Sequence, residues 1–467
     1  MRNLLIRADG GEKIGLGHLM RCRALAQAWE EAGGSVRFAS EGESAAQTAE
    51  IAASMDAEWV VVDGYQFGAG YVDTLQQAGF RVLFVDDNGH ADSYTAELVL
   101  NQNLHASDAL YSNRGQSTGL LLGPHYALLR REFRLAARER NTPPAARKLL
   151  ITLGGSDPHN VTTKVLRAVA LLDMPDLEPV VVAGAANRRN PAKLPFPARV
   201  EKDPPNMAEL MAWADVAVSA AGSTCWELAF MGLPAIAIVC ADNQQNVAES
   251  LHQAGSVESL GDQSMLSSSD IAAALRCLMR SQRMRRSMSE RGRAIVDGHG
   301  ATRVVERMLR PVRFREAEER DCRLLWEWVN DPAVRTSAFS TDPVPWPSHV
   351  QWFQSRRGDP RTVQWIAVDA DGLPIGQVRF DGDDQQSATI DVSVAPEKRA
   401  KGYGRTVITA AVDEYFRSSA VDTVHALVKT RNQPSLRAFR HAGFHEVGIE
   451  TVNGQQAEHL VRRRYDA

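Results

Sequence analysis

The chain has 467 residues, enough for two to four domains at roughly 100–200 residues each. Apolar residues make up 44%, charged residues 24% and aromatics 7%, proportions that exclude wholesale disorder and fibrous repeats. A formal net charge of −4 lacks the basic surplus of a duplex-DNA binder, so no nucleic-acid partner is expected.

Residues 3–8 (NLLIRA) are a short apolar run with turn residues behind it, the pattern of a buried parallel strand. The glycine-rich loop DGGEKIGLG follows, then helical spacing from His18 to about Glu31 and a second strand near 35–39. Further strands are expected at 59–62, 82–85 and 98–100. Strands alternating with helices predict a parallel sheet covered on both faces. Segment 134–147 (RLAARERNTPPAAR) is charged and proline-bearing and reads as a linker or hinge.

The pattern restarts at 148–153, followed by the loop GGSDPHN and strands at 180–183, 216–219 and 235–239. Two doubly wound halves joined in this way leave a cleft at the carboxyl ends of both sheets, where such folds bind ligands. Residues 281–310 are basic and helical in pattern, and Pro311 closes them. A mixed α/β pattern comes next: a helix at 321–330, strands at 363–369, 375–381 and 389–395, a long helix at 404–418, a strand at 423–429 and a helix at 433–442. The expected domains are 1–135, 146–310 and 311–467.

The longest apolar run, near 231–241 (MGLPAIAIVCA), is shorter than the about 20 residues a membrane span needs. The start, MRNLLIRADGG, lacks the charged head and apolar run of a signal peptide. The five cysteines (Cys22, Cys225, Cys240, Cys277 and Cys322) are odd in number and never form CxxC, which argues against a disulfide framework or a cysteine-built zinc site. A soluble cytoplasmic enzyme with no membrane partner is expected. No clustered metal-ligand set stands out, and no metal is expected.

Between the first strand and its helix lies Gly15-Leu16-Gly17-His18. Paired glycines let backbone approach a ligand, and a helix start offers free N–H groups to phosphate. A dinucleotide loop is the alternative; Met20 stands at its third glycine position, while Glu41 after the second strand fits it. At a helix start, neighbouring partial positive charge favours neutral imidazole, so His18 is the candidate general base, with a capping or core role as the rival. In the second half, Gly222, Ser223 and Thr224 form a small-residue turn suited to a pyrophosphate, and Glu227 can accept from ribose hydroxyls. Thr224 and Glu227 read equally as a capping box. The run from Asp242 to Asn246 places polar amides beside the same cleft.

The segments ADGGEKIGLGHLMRC, ITLGGSDPHNVT and AGSTCWELAFMGLPAIAI…DNQ, in that order, resemble the nucleotide-sugar hydrolases of pseudaminic acid biosynthesis, relatives of the GT-B glycosyltransferases of the MurG type. The resemblance covers about 1–300 and implies a GT-B-like pair of Rossmann-type domains. It implies hydrolysis of UDP-2,4-diacetamido-2,4,6-trideoxy-β-L-altropyranose by water attack at the anomeric carbon, with inversion and without metal. It places the general base on His18 and further catalytic residues on Tyr65 (in Val62-Asp63-Gly64-Tyr65) and on Asn243 or Asn246. The UDP-sugar-binding residues are then Gly15, Gly17, Gly155, Ser156, Gly222, Ser223, Thr224, Glu227 and Asn246. UDP is a good leaving group, so the site has chiefly to orient water and stabilise the departing diphosphate.

In the third pattern, Arg399-Ala400-Lys401-Gly402-Tyr403-Gly404 follows a strand and opens a helix. Such an R-x-x-G-x-G turn can make a nest of N–H groups for a pyrophosphate, or be a plain strand–turn–helix joint. With Asn432, Ser435 and Ala438-Phe439-Arg440-His441-Ala442-Gly443-Phe444, it resembles the GNAT N-acetyltransferases over about 312–467. The resemblance implies a C-terminal GNAT α/β domain using acetyl-CoA as cosubstrate. Pyrophosphate would sit on Arg399, Lys401, Gly402, Tyr403 and Gly404, pantetheine along Val392 and Val394, with Asn432 and Ser435 beside it. The upstream Trp328-Val329-Asn330-Asp331-Pro332 with Arg335, and His349-Val350-Gln351-Trp352-Phe353, resemble the acetyltransferase of the same pathway, which acts on a UDP-4-amino-4,6-dideoxy-N-acetyl-altrosamine. Phe439 stands where many of these enzymes carry the tyrosine that protonates the leaving thiolate, and phenylalanine cannot donate a proton. Another group or water then fills that role, or no acid is needed, and His349 is a candidate for handling the amine proton.

The expectation is a bifunctional enzyme acting on a UDP-linked amino or acetamido sugar, acetylating it and then removing UDP. Its rivals are a glycosyltransferase with an accessory acetyltransferase, the same two reactions on another diacetamido sugar, and a regulatory domain that senses acetyl-CoA.

Overall fold

Apolar runs bounded by turn residues become the central strands, with Leu4–Ile6 and 60–62 fully buried. The computed structural model describes residues 2–9, 17–40, 42–116, 118–136, 140–155, 157, 159–184, 198–310, 312–369, 372–383 and 386–464. It divides into two units, 1–305 and 306–466.

The first unit opens with β1 (Asn3–Ala8), α1 (Gly17–Glu31), β2 (Ser35–Phe38), α2 (Ala45–Ser54), β3 (Ala57–Asp63), α3 (Ala69–Gln77), β4 (Arg81–Val85), β5 (Leu98–Asn101), β6 (Gly119–Leu122) and α4 (Arg131–Ala136). The strands form a parallel sheet in the order β2-β1-β3-β4-β5-β6. Strand order reverses between β1 and β3, where a crevice opens at the carboxyl ends. Ala8 pairs with Asp63, so the ends of those two strands lie side by side.

A second set follows: β7 (Lys148–Thr152), α5 (Val161–Ala170), β8 (Glu178–Ala183), β9 (Arg199–Lys202), α6 (Met207–Trp213), β10 (Val216–Ala220), α7 (Thr224–Met231), β11 (Ala235–Val239), α8 (Gln245–Gln253), β12 (Val257–Asp262), α9 (Ser268–Arg280), α10 (Gln282–Ile295) and α11 (Gly300–Leu309). These strands form a parallel sheet in the order β12-β11-β10-β7-β8-β9, with its switch point between β7 and β10. Arg303 on α11 donates to the His125 carbonyl at 2.9 Å, so the chain crosses back to the first sheet's half. The expected linker is pinned rather than loose: Arg140 donates to the Met211 carbonyl at 2.5 Å, Gln282 to that of Thr142 at 2.7 Å, and Ala146 is fully buried. These are the Rossmann-like halves of a GT-B-like fold.

The second unit contains β13 (Arg313–Glu316), α12 (Cys322–Val329), α13 (Pro332–Ser337), α14 (Trp346–Arg357), β14 (Thr362–Val368), β15 (Pro374–Gly382), β16 (Ser387–Val394), α15 (Tyr403–Ser418), β17 (Thr423–Lys429), α16 (Gln433–His441), β18 (His445–Val452) and β19 (Gln455–Arg463). Its sheet runs β13-β14-β15-β16-β17-β19-β18 and is antiparallel except at β16–β17. That one parallel pair joins only at 387–389 with 423–425, after which the strands part. The sheet is GNAT-like, as expected. Among the described residues no helix is long and apolar enough to cross a membrane.

Candidate functional site

The two switch points of the first unit supply the walls of one cavity of about 740 Å³. On the first wall, His18 stands in the opening turn of α1 and is only 7% exposed. Its Nδ1 lies 2.5 Å from Oδ1 of Asp63, the fully buried last residue of β3. A carboxylate only accepts, so Nδ1 carries a hydrogen towards Asp63, with Arg21 Nη2 3.1 Å from the same nitrogen. Arg21, one turn along α1, grips the same carboxylate through Nε at 2.7 Å and Nη2 at 2.6 Å, and reaches Asp87 through Nη1 at 2.7 Å. Burial would raise the Asp63 carboxyl, but Arg21 and then His18 overcome it and hold it far below the usual carboxylate range. Asp63 is therefore ionised at every physiological pH and fixes the imidazole in one tautomer.

Tyr65 closes this wall. Its ring meets His18 edge to face at 5.0 Å, and its hydroxyl donates to Asp87 at 3.3 Å. Burial, with Asp87 beside it, pushes the phenol above its ordinary value, so it stays protonated. Across the cavity, Asn243 donates its Nδ2 to the Tyr65 hydroxyl at 2.9 Å and ties the two halves together. Gly17 is close enough to Ser223 that an added Cβ would sit 3.2 Å from its hydroxyl oxygen.

The second wall is built from the loops after β7 and β10. Gly155, Gly222, Ser223, Thr224 and Glu227 all line the cavity. Asp157, also on the wall, accepts from the first amides of α5, Val161 at 2.8 Å and Thr162 at 3.0 Å. The capping-box reading does not hold, since Ser223 takes the N-cap of α7 without a side-chain cap bond and Glu227 turns instead to Arg130 at 3.1 Å. Burial raises the Glu227 carboxyl to about 7 against the pull of Arg130.

Of the residues read from sequence, Gly17, His18, Tyr65, Gly155, Gly222, Ser223, Thr224, Glu227 and Asn243 come together here. Asn246 does not line the cavity; it is exposed on α8, and Gln244 lines the wall instead. Gly15, Ser156 and Glu41 lie outside the described residues. Sequence reasoning missed Asp63, Arg21, Asp87 and Arg130, although Asp63 stands two residues before Tyr65 in a segment already singled out.

In the second unit, the parting of β16 and β17 opens a cavity of about 510 Å³. Val392, Asn432, Ser435 and Phe439 line it, as do His349, Gln364 and Lys429. Strand edges left unpaired there present backbone donors and acceptors to an extended ligand. Val394, Arg399, Lys401, Gly402, Tyr403 and Gly404 are not part of that wall; they form the strand end and the turn into α15. Ala400 and Gly402 take left-handed φ of 57° and 84°, and no side chain caps α15, so its first amides remain available. The Arg399 guanidinium is engaged elsewhere, with the Val394 carbonyl at 3.0 Å and Asp331 at 2.6 Å. His349 donates Nε2–H to the Cys322 carbonyl at 3.1 Å, and burial lowers its proton affinity.

Residues 203–303 match the glycosyltransferase family 28 C-terminal domain, and residues 312–445 match the acetyltransferase (GNAT) domain. The chain is 28% identical over 232 residues to the spore coat polysaccharide biosynthesis protein SpsG of Bacillus subtilis, a match covering 48% of this chain and 67% of that one. It is 22% identical over 403 residues to the uncharacterized protein MJ1062 of Methanocaldococcus jannaschii, covering 82% of this chain and 81% of that one. Among solved structures it is similar to spermidine N-acetyltransferase from Vibrio cholerae in complex with CoA and spermine, with a TM-score of 0.31, 21% identity, and coverage of 33% of this chain and 96% of that chain. One polypeptide thus carries a glycosyltransferase family 28 C-terminal domain and a GNAT acetyltransferase domain.

Proposed function

We propose that the protein is a bifunctional nucleotide-sugar enzyme of pseudaminic acid biosynthesis. The second unit transfers acetyl from acetyl-CoA to the amine of a UDP-4-amino-4,6-dideoxy-N-acetyl-altrosamine. The first unit then hydrolyses the resulting UDP-2,4-diacetamido-2,4,6-trideoxy-altropyranose. The observation that carries the reading is the buried Asp63–His18 pair on the wall of a cavity whose opposite wall is small-residue loops. His18 Nε2 takes a proton from water as the oxygen attacks the anomeric carbon. The C–O bond to the diphosphate breaks, and UDP leaves against the amides at the start of α7. Glu227 accepts from the ribose hydroxyls. In the second unit the amine attacks the thioester carbonyl, and CoA leaves as the thiol.

Incubating the protein with the UDP-amino sugar and acetyl-CoA, with NMR of the products, tests the whole sequence. Release of UDP only when a second sugar is supplied would favour the rival glycosyltransferase. Glu227→Gln is expected to weaken UDP binding roughly three- to tenfold, the size of one hydrogen bond, as read by calorimetry. Lys401→Glu, at an exposed position on the turn into α15, is expected to weaken acetyl-CoA binding roughly three- to tenfold, less at high salt, while UDP release is unchanged.

A further inference from the structure

One face of the second unit's sheet is polar where the rest is packed. Strand alternation turns Trp365, Val378, Phe380, Val424, Ala426 and Val428 into the main core. The opposite face then carries Gln364, Gln377, Arg379, Asp391 and Lys429, all lining the 510 Å³ cavity. Register makes them neighbours, since Gln364 lies opposite Arg379 and Arg379 opposite Asp391.

Two of these groups are not at rest without a ligand. Gln364 is 9% exposed, and its Oε1 is buried with no hydrogen-bond partner among the described residues. Such an orphan costs stability unless something donates to it. Lys429 is 3% exposed, and its ammonium donates to the Thr336 carbonyl at 3.0 Å. No carboxylate pairs with it among the described residues. Burial, with Arg431 nearby, disfavours its charged form, which an incoming anion would reverse. Arg335, on the same cavity, spends its guanidinium on the carbonyls of Val329 at 2.6 Å and Ser340 and Asp342 at 3.2 Å. Among the described residues Asp391 is the one carboxylate on the wall; Arg379 faces it at 3.4 Å but donates to Asp381 at 2.8 Å.

We propose that Lys429 and Gln364 select the acetyl acceptor, Lys429 as counter-charge to an anionic group and Gln364 Oε1 as acceptor for its N–H or O–H. The molecule acetylated is then an anionic amino sugar, a sugar phosphate or sugar nucleotide, and not a polycationic amine. Lys429 and Arg335 have no carboxylate partner among the described residues, a balance that repels a polyamine and attracts a phosphate. This rests on the acetyl-transfer half of the proposed function and adds what the acceptor must carry.

The test measures CoA release by the full chain with acetyl-CoA and four amines: the UDP-4-amino sugar, glucosamine 6-phosphate, glucosamine and spermidine. The anionic amines should exceed glucosamine in kcat/KM by about tenfold or more. Lys429→Met should erase that preference through the acceptor KM, with the acetyl-CoA KM unchanged, and Lys429→Arg should restore part of it. Gln364→Leu should raise the acceptor KM while the Tm stays at or above the wild-type value, which a merely structural glutamine would not do. The inference is overturned if spermidine or glucosamine is used as well as the anionic amines, or if no anionic amine is used. It is equally overturned if Lys429→Met lowers kcat alike for every amine, which makes Lys429 a proton-transfer group. Use of glucosamine 6-phosphate without the UDP-4-amino sugar sinks the pathway assignment alone. Equal use of the UDP-4-amino sugar by wild type and Lys429→Met sinks this inference alone.

Discussion

His18→Ala is expected to reduce UDP release by about 10²–10⁴-fold, the range for losing a positioned general base, and to leave acetyl transfer at the wild-type rate. The size follows from how completely the ring is committed. Its Nδ1 is held by Asp63 at 2.5 Å, which leaves Nε2 as the nitrogen for the proposed proton transfer. His90, across Tyr65, cannot take its place, since it is bound to Asp86 at 2.9 Å through Nδ1 and to the Phe67 carbonyl at 2.9 Å through Nε2. Added imidazole should restore part of the lost rate, because the alanine leaves room where the ring stood. UDP release that persists at the wild-type rate would remove His18 from the mechanism.

Arg21→Met should cost about 3–5 kcal/mol, because it strands the Asp63 charge in the interior without its main counter-ion. For a unit of this size that lowers the Tm by about 10 °C. The pH dependence has a definite sign. In the wild-type protein the folded pKa of Asp63 is depressed, so its stabilisation is complete above the unfolded carboxylate value of about 3.9 and is lost as pH falls towards the folded value. In Arg21→Met the folded pKa rises. The deficit is then largest at neutral pH and shrinks on acidification, because a protonated Asp63 needs no counter-charge. Thermal melts of both proteins between pH 5 and 8 check this, and a pH-independent deficit would mean that Arg21 acts through packing instead.

The architecture was legible wherever apolar runs are short and punctuated. The strands read at 3–8, 148–153 and 216–219 are those observed, because a parallel strand buried on both faces leaves little choice of residue. The hairpin of β18 and β19 was not read, since β18 is mostly exposed and its alternating Val447 and Ile449 face solvent rather than a core. Its signal lay in the turn, where Asn453 and Gly454 take φ of 47° and 74°, the mark of a tight hairpin. For the site, His18 could be read from its loop alone. Asp63 could not be paired with it, because that requires β3 to lie beside β1 with β2 on the far side, an order no local pattern states. Lys429 was hidden for a related reason: a lysine ending a strand reads as solvated until the sheet face beneath it is known.

The bridge from Asn243 to Tyr65 has a kinetic consequence. On the proposed function a sugar nucleotide enters between the walls this bond joins, and the bond would then act as a latch on both entry and escape. Chemistry at His18 can then run ahead of product departure. A burst of UDP release followed by a slower steady rate is the result expected of an enzyme latched in this way.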